Sequence, residues 1–194
     1  MKKYIYASIL MLLVSCNVCL GQDEKADANL QYKLLATIKT STMQKELDET
    51  SSQGYRILVG SPTSDAEMAV FLSKDGSVAE PYKYKLLATT RTGTMQKELN
   101  EAAAAGFRLL PSTMIAKKQL LGGVEIVSIM ERPPRVTKQY EYKLLATTRT
   151  STLQKEVTEA KEAGYVLVGM VSRGEHMVIM ERESVRTTTM EMKN

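Results

Sequence analysis

The nine-residue string YKLLATTRT stands at Tyr84–Thr92 and returns letter for letter at Tyr142–Thr150, with a near copy, YKLLATIKT, at Tyr32–Thr40. Repetition of polar as well as apolar positions marks a chain built from copies of one unit, and such self-similarity constrains the fold more than any local motif. The likeness runs on through YKLLATIKTSTMQKELDETSSQGYRILVG, YKLLATTRTGTMQKELNEAAAAGFRLLPS and YKLLATTRTSTLQKEVTEAKEAGYVLVGM. In each copy a glycine (Gly54, Gly106, Gly164) falls 22 positions after the opening tyrosine. A further segment closes each unit: AVFLSK from Ala69, VSIMER from Val127 and MVIMER from Met177.

Hydrophobic period assigns the elements. Tyr84, Leu86 and Ala88 alternate with Lys85, Leu87 and Thr89, the period of a strand. Met95, Leu99 and Ala102/Ala103 then recur at helical spacing, as do Leu153, Val157 and Ala160. Ser41 and Ser151 stand three residues before Gln44 and Gln154, which predicts a capping box at the helix start; Gly93 replaces the serine in the second unit. The glycines at 54, 106 and 164 are expected to end each helix in the left-handed conformation. After them, short apolar strands lead to the closing segment, which pairs back as a hairpin.

The expected fold class is therefore α+β: three tandem β-α-β-β repeats, each a small antiparallel sheet with one helix on one face, packed together. The simplest strand order is first, third, second. The face away from the helix carries Leu35, Leu87 and Leu145, opposite the tyrosines, and Val70, Met130 and Met180 make the closing strands apolar on both sides. A sheet with two apolar faces needs two covers. A unit of about 45 residues also buries too little surface to be safely stable alone. Both facts predict that the units lean on one another or on another chain. The divisions are a signal peptide at 1–21, a spacer at 22–31, units at 32–75, 82–132 and 140–182, and a disordered tail at 183–194. DGSVAEPYK and RPPRVTKQ serve as linkers, with Pro133-Pro134 stiffening the second.

These units resemble the small bacterial family known as domain of unknown function 4177. The resemblance is carried by Tyr82-Lys83-Tyr84-Lys85-Leu86 and Tyr140-Glu141-Tyr142-Lys143-Leu144, by Gly54-Tyr55, Gly106-Phe107 and Gly164-Tyr165, and by Glu131-Arg132 and Glu181-Arg182. The family places Trp after the glycine, whereas this chain has no Trp; its first unit has Leu30 for the first tyrosine and ends in Ser73-Lys74. The resemblance implies the fold and brings no activity with it.

The amino terminus reads as an export signal. Lys2 and Lys3 precede the apolar run Tyr4–Val14, too short for the roughly 20 apolar residues of a spanning helix. Cleavage after Gly21 leaves Gln22 first. Leu13-Val14-Ser15-Cys16 offers a second reading, since it resembles a bacterial lipobox in which Cys16 would be lipidated. The expected location is periplasmic or secreted, or, with Cys16 lipidated, anchored to the outer membrane; no integral membrane segment is expected after cleavage. Cys16 and Cys19, the only cysteines, both precede Gly21, so a chain cut there holds itself together without disulfides. Losing Lys2 and Lys3 takes 26 basic residues to 24 against 22 acidic ones, a balance without the basic bias of a nucleic-acid binder.

Candidate sites are few. Each strand-to-helix junction gathers hydroxyls and a cation, Lys39 and Thr40, Arg91 and Thr92, Arg149 and Thr150, before a helix N-terminus where backbone N–H groups can bind a small anion or a sugar acid. Tandem duplication also copies such letters without selection for binding. Glu46, Glu98 and Glu156 are read as first-turn acids that complement the helix end. The second unit carries extra residues, STMIAKKQLLGG, read as a hairpin loop whose Met114, Ile115, Lys117, Lys118, Leu120 and Leu121 either bind a partner or fold over a neighbouring unit. His176 is the single histidine; alternation puts it and Met177 on opposite faces, so no metal and no cofactor are expected. No nucleophile–base grouping is suggested by spacing. The function expected is that of a non-catalytic binding or assembly module of the bacterial envelope, its partner an envelope protein or another copy. The alternative is a small-anion or glycan sensor using the junctions.

Overall fold

In the computed structural model the described residues are 31–63, 66–74, 76, 80–119 and 122–184. Residues 1–21, read as an export signal and containing Cys16, together with Leu120, Leu121 and the residues beyond Ser184, lie outside them. The first unit contains β1 (Tyr32–Thr37), α1 (Thr40–Ser52), β2 (Tyr55–Pro62) and β3 (Met68–Lys74). The second contains β4 (Lys83–Thr89), α2 (Thr92–Ala104), β5 (Arg108–Lys118) and β6 (Val124–Arg132), and the third β7 (Gln139–Thr147), α3 (Thr150–Glu162), β8 (Val166–Ser172) and β9 (His176–Ser184). The class is α+β. Each unit folds its own three-stranded antiparallel sheet, in the orders β1-β3-β2, β4-β6-β5 and β7-β9-β8, with the closing strand central.

The helices stop where glycine lets them. Gly54, Gly106 and Gly164 have φ of +85°, +88° and +87°, and their N–H groups donate back to Ser51, Ala103 and Lys161 carbonyls. The helix starts differ from the expected capping box. Lys39, Arg91 and Arg149 occupy the N-cap in extended conformation, and no side chain caps the first turn. Thr37, Thr89 and Thr147 instead accept a hydrogen bond from the backbone N–H two residues on, tightening the strand-to-helix turn. With helices beginning at Thr40, Thr92 and Thr150, Glu46, Glu98 and Glu156 fall beyond the first turn, so they do not offset its positive end.

The two faces of each sheet are also assigned the other way round. Leu35, Leu87 and Leu145 lie under their own helix, clustered with Met43 and Leu47, with Met95 and Leu99, and with Leu153. The tyrosine face is the one that meets a neighbour. Tyr84, Val127 and Ile129 share a cluster with Met43, Leu47 and Ile57 of the first unit, and Tyr142, Met177 and Ile179 share one with Met95, Leu99 and Leu109 of the second. Covering an aliphatic or aromatic side chain in this way stabilises by roughly 1.5–3 kcal/mol, so each joint is closed by an apolar cluster that two units share.

Two other expectations are corrected. The extra residues of the second unit are largely strand rather than loop. Part of them make a bulge inside β5, where the register jumps from Leu110↔Ile129 to Ile115↔Val127 and Pro111–Met114 bulge out, and the rest lengthen the hairpin arm, where Lys117 and Lys118 pair with Glu125 and Val124. At the far end, Glu183 and Ser184 pair with Tyr140 and Gln139, so β9 runs into what was read as tail.

Candidate functional site

The built feature of this molecule is a joint made twice with the same parts. A peptide edge comes first. β4 lies at the outside of its sheet, and its unpaired edge groups are met by one side chain of the preceding helix: Gln44 Nε2 donates to the Tyr84 carbonyl at 3.1 Å, and the Leu86 N–H donates to Gln44 Oε1 at 2.8 Å. Gln96 treats β7 identically, donating to Tyr142 O at 2.7 Å and accepting from Leu144 N at 2.6 Å. Asn100 reinforces this second clip, accepting from Tyr142 N and donating to Tyr142 O. A glutamine amide carries the donor and acceptor of a peptide group, so it satisfies a strand edge as another strand would.

An ion pair with a buried carboxylate and a partly exposed guanidinium lies beside the clip. Arg56 of β2 grips Glu131 of β6 through Nε at 3.0 Å and Nη2 at 2.8 Å, and Tyr84 Oη donates to the same carboxylate while accepting from the Ile57 N–H. The next joint repeats it with Arg108, Glu181, Tyr142 and the Leu109 N–H. Each guanidinium also stacks on the preceding tyrosine of the next unit, Arg56 over Tyr82 at 4.2 Å and Arg108 over Tyr140 at 4.3 Å. The carboxylate hydrogen bonds hold both arginines above their ordinary pKa. Burial pushes the Tyr84 and Tyr142 phenols well above theirs, although the Ile57 and Leu109 N–H groups act in the other direction.

Among the described residues three units make two joints, so the first and third units each keep one half-joint that no described unit covers. The tyrosine face of the first sheet is uncovered: Tyr32 is 59% exposed against 4% for Tyr84, and Leu34, Phe71 and Val59 are exposed around it. At the other end Val166 and Leu167 of β8 are exposed, and Gln154 reaches only Thr158 of its own helix among the described residues.

The residues singled out in the sequence fall elsewhere. Lys39, Arg91, Arg149 and Thr150 are exposed at the three junctions, and Thr40 and Thr92 are half-buried. The carbonyls of the first two junctions are held by cations of the following unit, Lys117 Nζ on Ile38 O at 3.2 Å and Arg173 on Thr90 O. A cleft of about 370 Å³ beside the second junction is lined by Thr92, Gly93 and Gln96 but also by Glu156, whose carboxylate works against an anion there. In β5, Ile115 and Lys117 are buried, Met114 rests on Gly169 of the third unit, and Lys118 is exposed. Ser112 donates to Leu58 O, so this insertion touches both neighbouring units. Lys117 also pairs with Glu125 at 3.3 Å. No group of three or more metal-ligating residues exists among the described residues, and none of their helices is long and apolar enough to cross a membrane.

Sequence reasoning missed the joint. Its signal was an offset pattern: Arg at 56 and 108 but Val at 166, and Glu at 131 and 181 but Ser at 73. No family model, curated relative or solved structure matches this chain.

Proposed function

We propose that this chain is an exported, non-catalytic protein of the bacterial envelope that works by binding protein, and that its binding surface is the tyrosine face of the first sheet. One observation carries the reading. Tyr32, Leu34, Val59 and Phe71 form an exposed apolar face beside the outer edge of β1, while the equivalent faces of the second and third sheets are covered. Apolar surface contiguous with a sheet edge is what a protein partner covers, supplying both side-chain burial and edge hydrogen bonds. The segment at 1–21 supports export.

A photo-crosslinking amino acid placed at Leu34 in producing cells tests this, with the exposed helical position Lys45 as control. Discrete protein adducts at Leu34 and none at Lys45 are expected. Equal labelling at the two positions ends the reading.

A further inference from the structure

We propose that the occupant of this face is a second copy of the chain, docked head to tail, with α3 and β8 of one copy on β1 and β3 of the next. The inference rests on the reading of the first sheet's face as a binding surface and names what binds it. The interface would continue the one already built twice within the chain.

The giving half of each joint consists of a helix glutamine and the start of the second strand. At the end of the chain Gln154 occupies the position of Gln44 and Gln96, and Leu167 that of Ile57 and Leu109. Ile57 is 6% exposed and Leu109 2%, each under the following unit, whereas Leu167 is 53% exposed. The receiving half consists of a tyrosine, a leucine and a central-strand hydrophobe. At the start of the chain Tyr32, Leu34 and Phe71 stand where Tyr84, Leu86 and Ile129 stand in the second unit. The Tyr32 carbonyl and Leu34 N–H are the edge groups that Gln154 would bridge.

The two ends have also changed together. Val166 replaces Arg56 and Arg108, and Ser73 replaces Glu131 and Glu181. Loss of the arginine alone would leave a buried carboxylate unpaired in any joint, which is strongly unfavourable. Loss of both leaves an uncharged joint, Val166 opposite Ser73, with no orphan charge. Ends that face only water follow the opposite pattern, since terminal repeats carry polar outer surfaces. A third change agrees. Gly60 has no room for a side chain, because a Cβ there would lie 3.2 Å from Thr113 Cα in the bulge of β5. Met170 takes the equivalent place in β8 and is exposed; the first unit, which would lie over it, has no four-residue bulge. The contact is heterologous, so the copies form a ring where the rotation closes and an open chain where it does not.

Sedimentation velocity on protein purified from producing cells, over concentrations from about 1 to 300 µM, tests the proposal with two surface variants. Leu34→Asp blocks the receiving end and Leu167→Asp the giving end; both sites are exposed, and matched thermal melts check that each variant folds. The unaltered protein is expected to grow with concentration, each variant alone to stay monomeric, and their 1:1 mixture to form a dimer and nothing larger. A mixture that stays monomeric overturns the proposal, as does unaltered protein that is monomeric throughout. Self-association of Leu167→Asp alone overturns it too, showing that first sheets meet face to face. If the purified protein stays monomeric while Leu34 still crosslinks to other proteins in cells, self-docking falls and the broader binding reading stands.

Discussion

Gln44 and Leu86, 42 positions apart, form the hydrogen bond that ties the first helix to the second sheet: the Leu86 N–H donates to Gln44 Oε1 at 2.8 Å. With the return bond to Tyr84 O, one side chain takes the place of a neighbouring strand. Removing it leaves a part-buried N–H and C=O without partners. Gln44→Ala and Gln96→Ala are each expected to lower unfolding free energy by about 1–3 kcal/mol in urea titrations. Gln154→Ala, at dilute concentration, is expected to change it by less than about 0.5 kcal/mol, because its target edge lies on no unit of the same chain.

Arg56 and Glu131 present a different balance. The carboxylate is buried and the guanidinium partly exposed, so losing the cation leaves Glu131 with only the Tyr84 hydroxyl. Arg56→Met is expected to destabilise by about 3 kcal/mol, and Arg56→Met with Glu131→Met to recover most of that loss. A double-mutant cycle measured by denaturant unfolding gives the coupling. The chain has already made the paired exchange at its ends, with Val166 and Ser73.

Stability should fall on the alkaline side. Burial raises the Tyr84 and Tyr142 phenols above the ordinary value of 10.0, and the adjacent Glu131 and Glu181 carboxylates act in the same direction. A group whose folded pKa is raised contributes fully below the unfolded value; that contribution is lost as pH climbs past it, because the unfolded chain ionises first. The thermal midpoint is therefore expected to begin falling near the ordinary phenol value of 10.0 and to keep falling as pH rises further. The Tyr84→Phe/Tyr142→Phe double variant, less stable at neutral pH, is expected to drop less steeply. Equal slopes would remove these two phenols from the alkaline transition.

The sequence was legible where one unit determines its own structure. Alternation in YKLLAT, the helical spacing of Met95 and Leu99, and the left-handed glycines are local, and each lies where its period puts it. What lay between units was not. Gln44 has the spacing of a capping-box residue, and only a neighbouring strand edge three dimensions away diverts its amide. The tyrosine and leucine faces are both apolar, so periodicity cannot say which one meets the unit's own helix. The β5 insertion was visible as extra length. Its division between a mid-strand bulge and a longer hairpin arm depends on pairing to β6, which spacing does not encode.

Two glycines make opposite predictions from the same joint logic. Gly60 lies in β2 with no positive φ, so its need is for space alone: a Cβ would press on Thr113 Cα at 3.2 Å, a backbone atom that cannot swing aside. Gly60→Ala is expected to destabilise by about 1–2 kcal/mol, the range of mild overpacking. Gly93, in the first turn of α2, has nothing within 4 Å of its Cβ position. Gly93→Ala is expected to stabilise by roughly 0.5 kcal/mol, since it lowers the entropy of the unfolded chain without a clash. Differential scanning calorimetry on the two single variants decides the pair. A neutral Gly60→Ala would mean that the first and second units do not approach as closely as Thr113 requires.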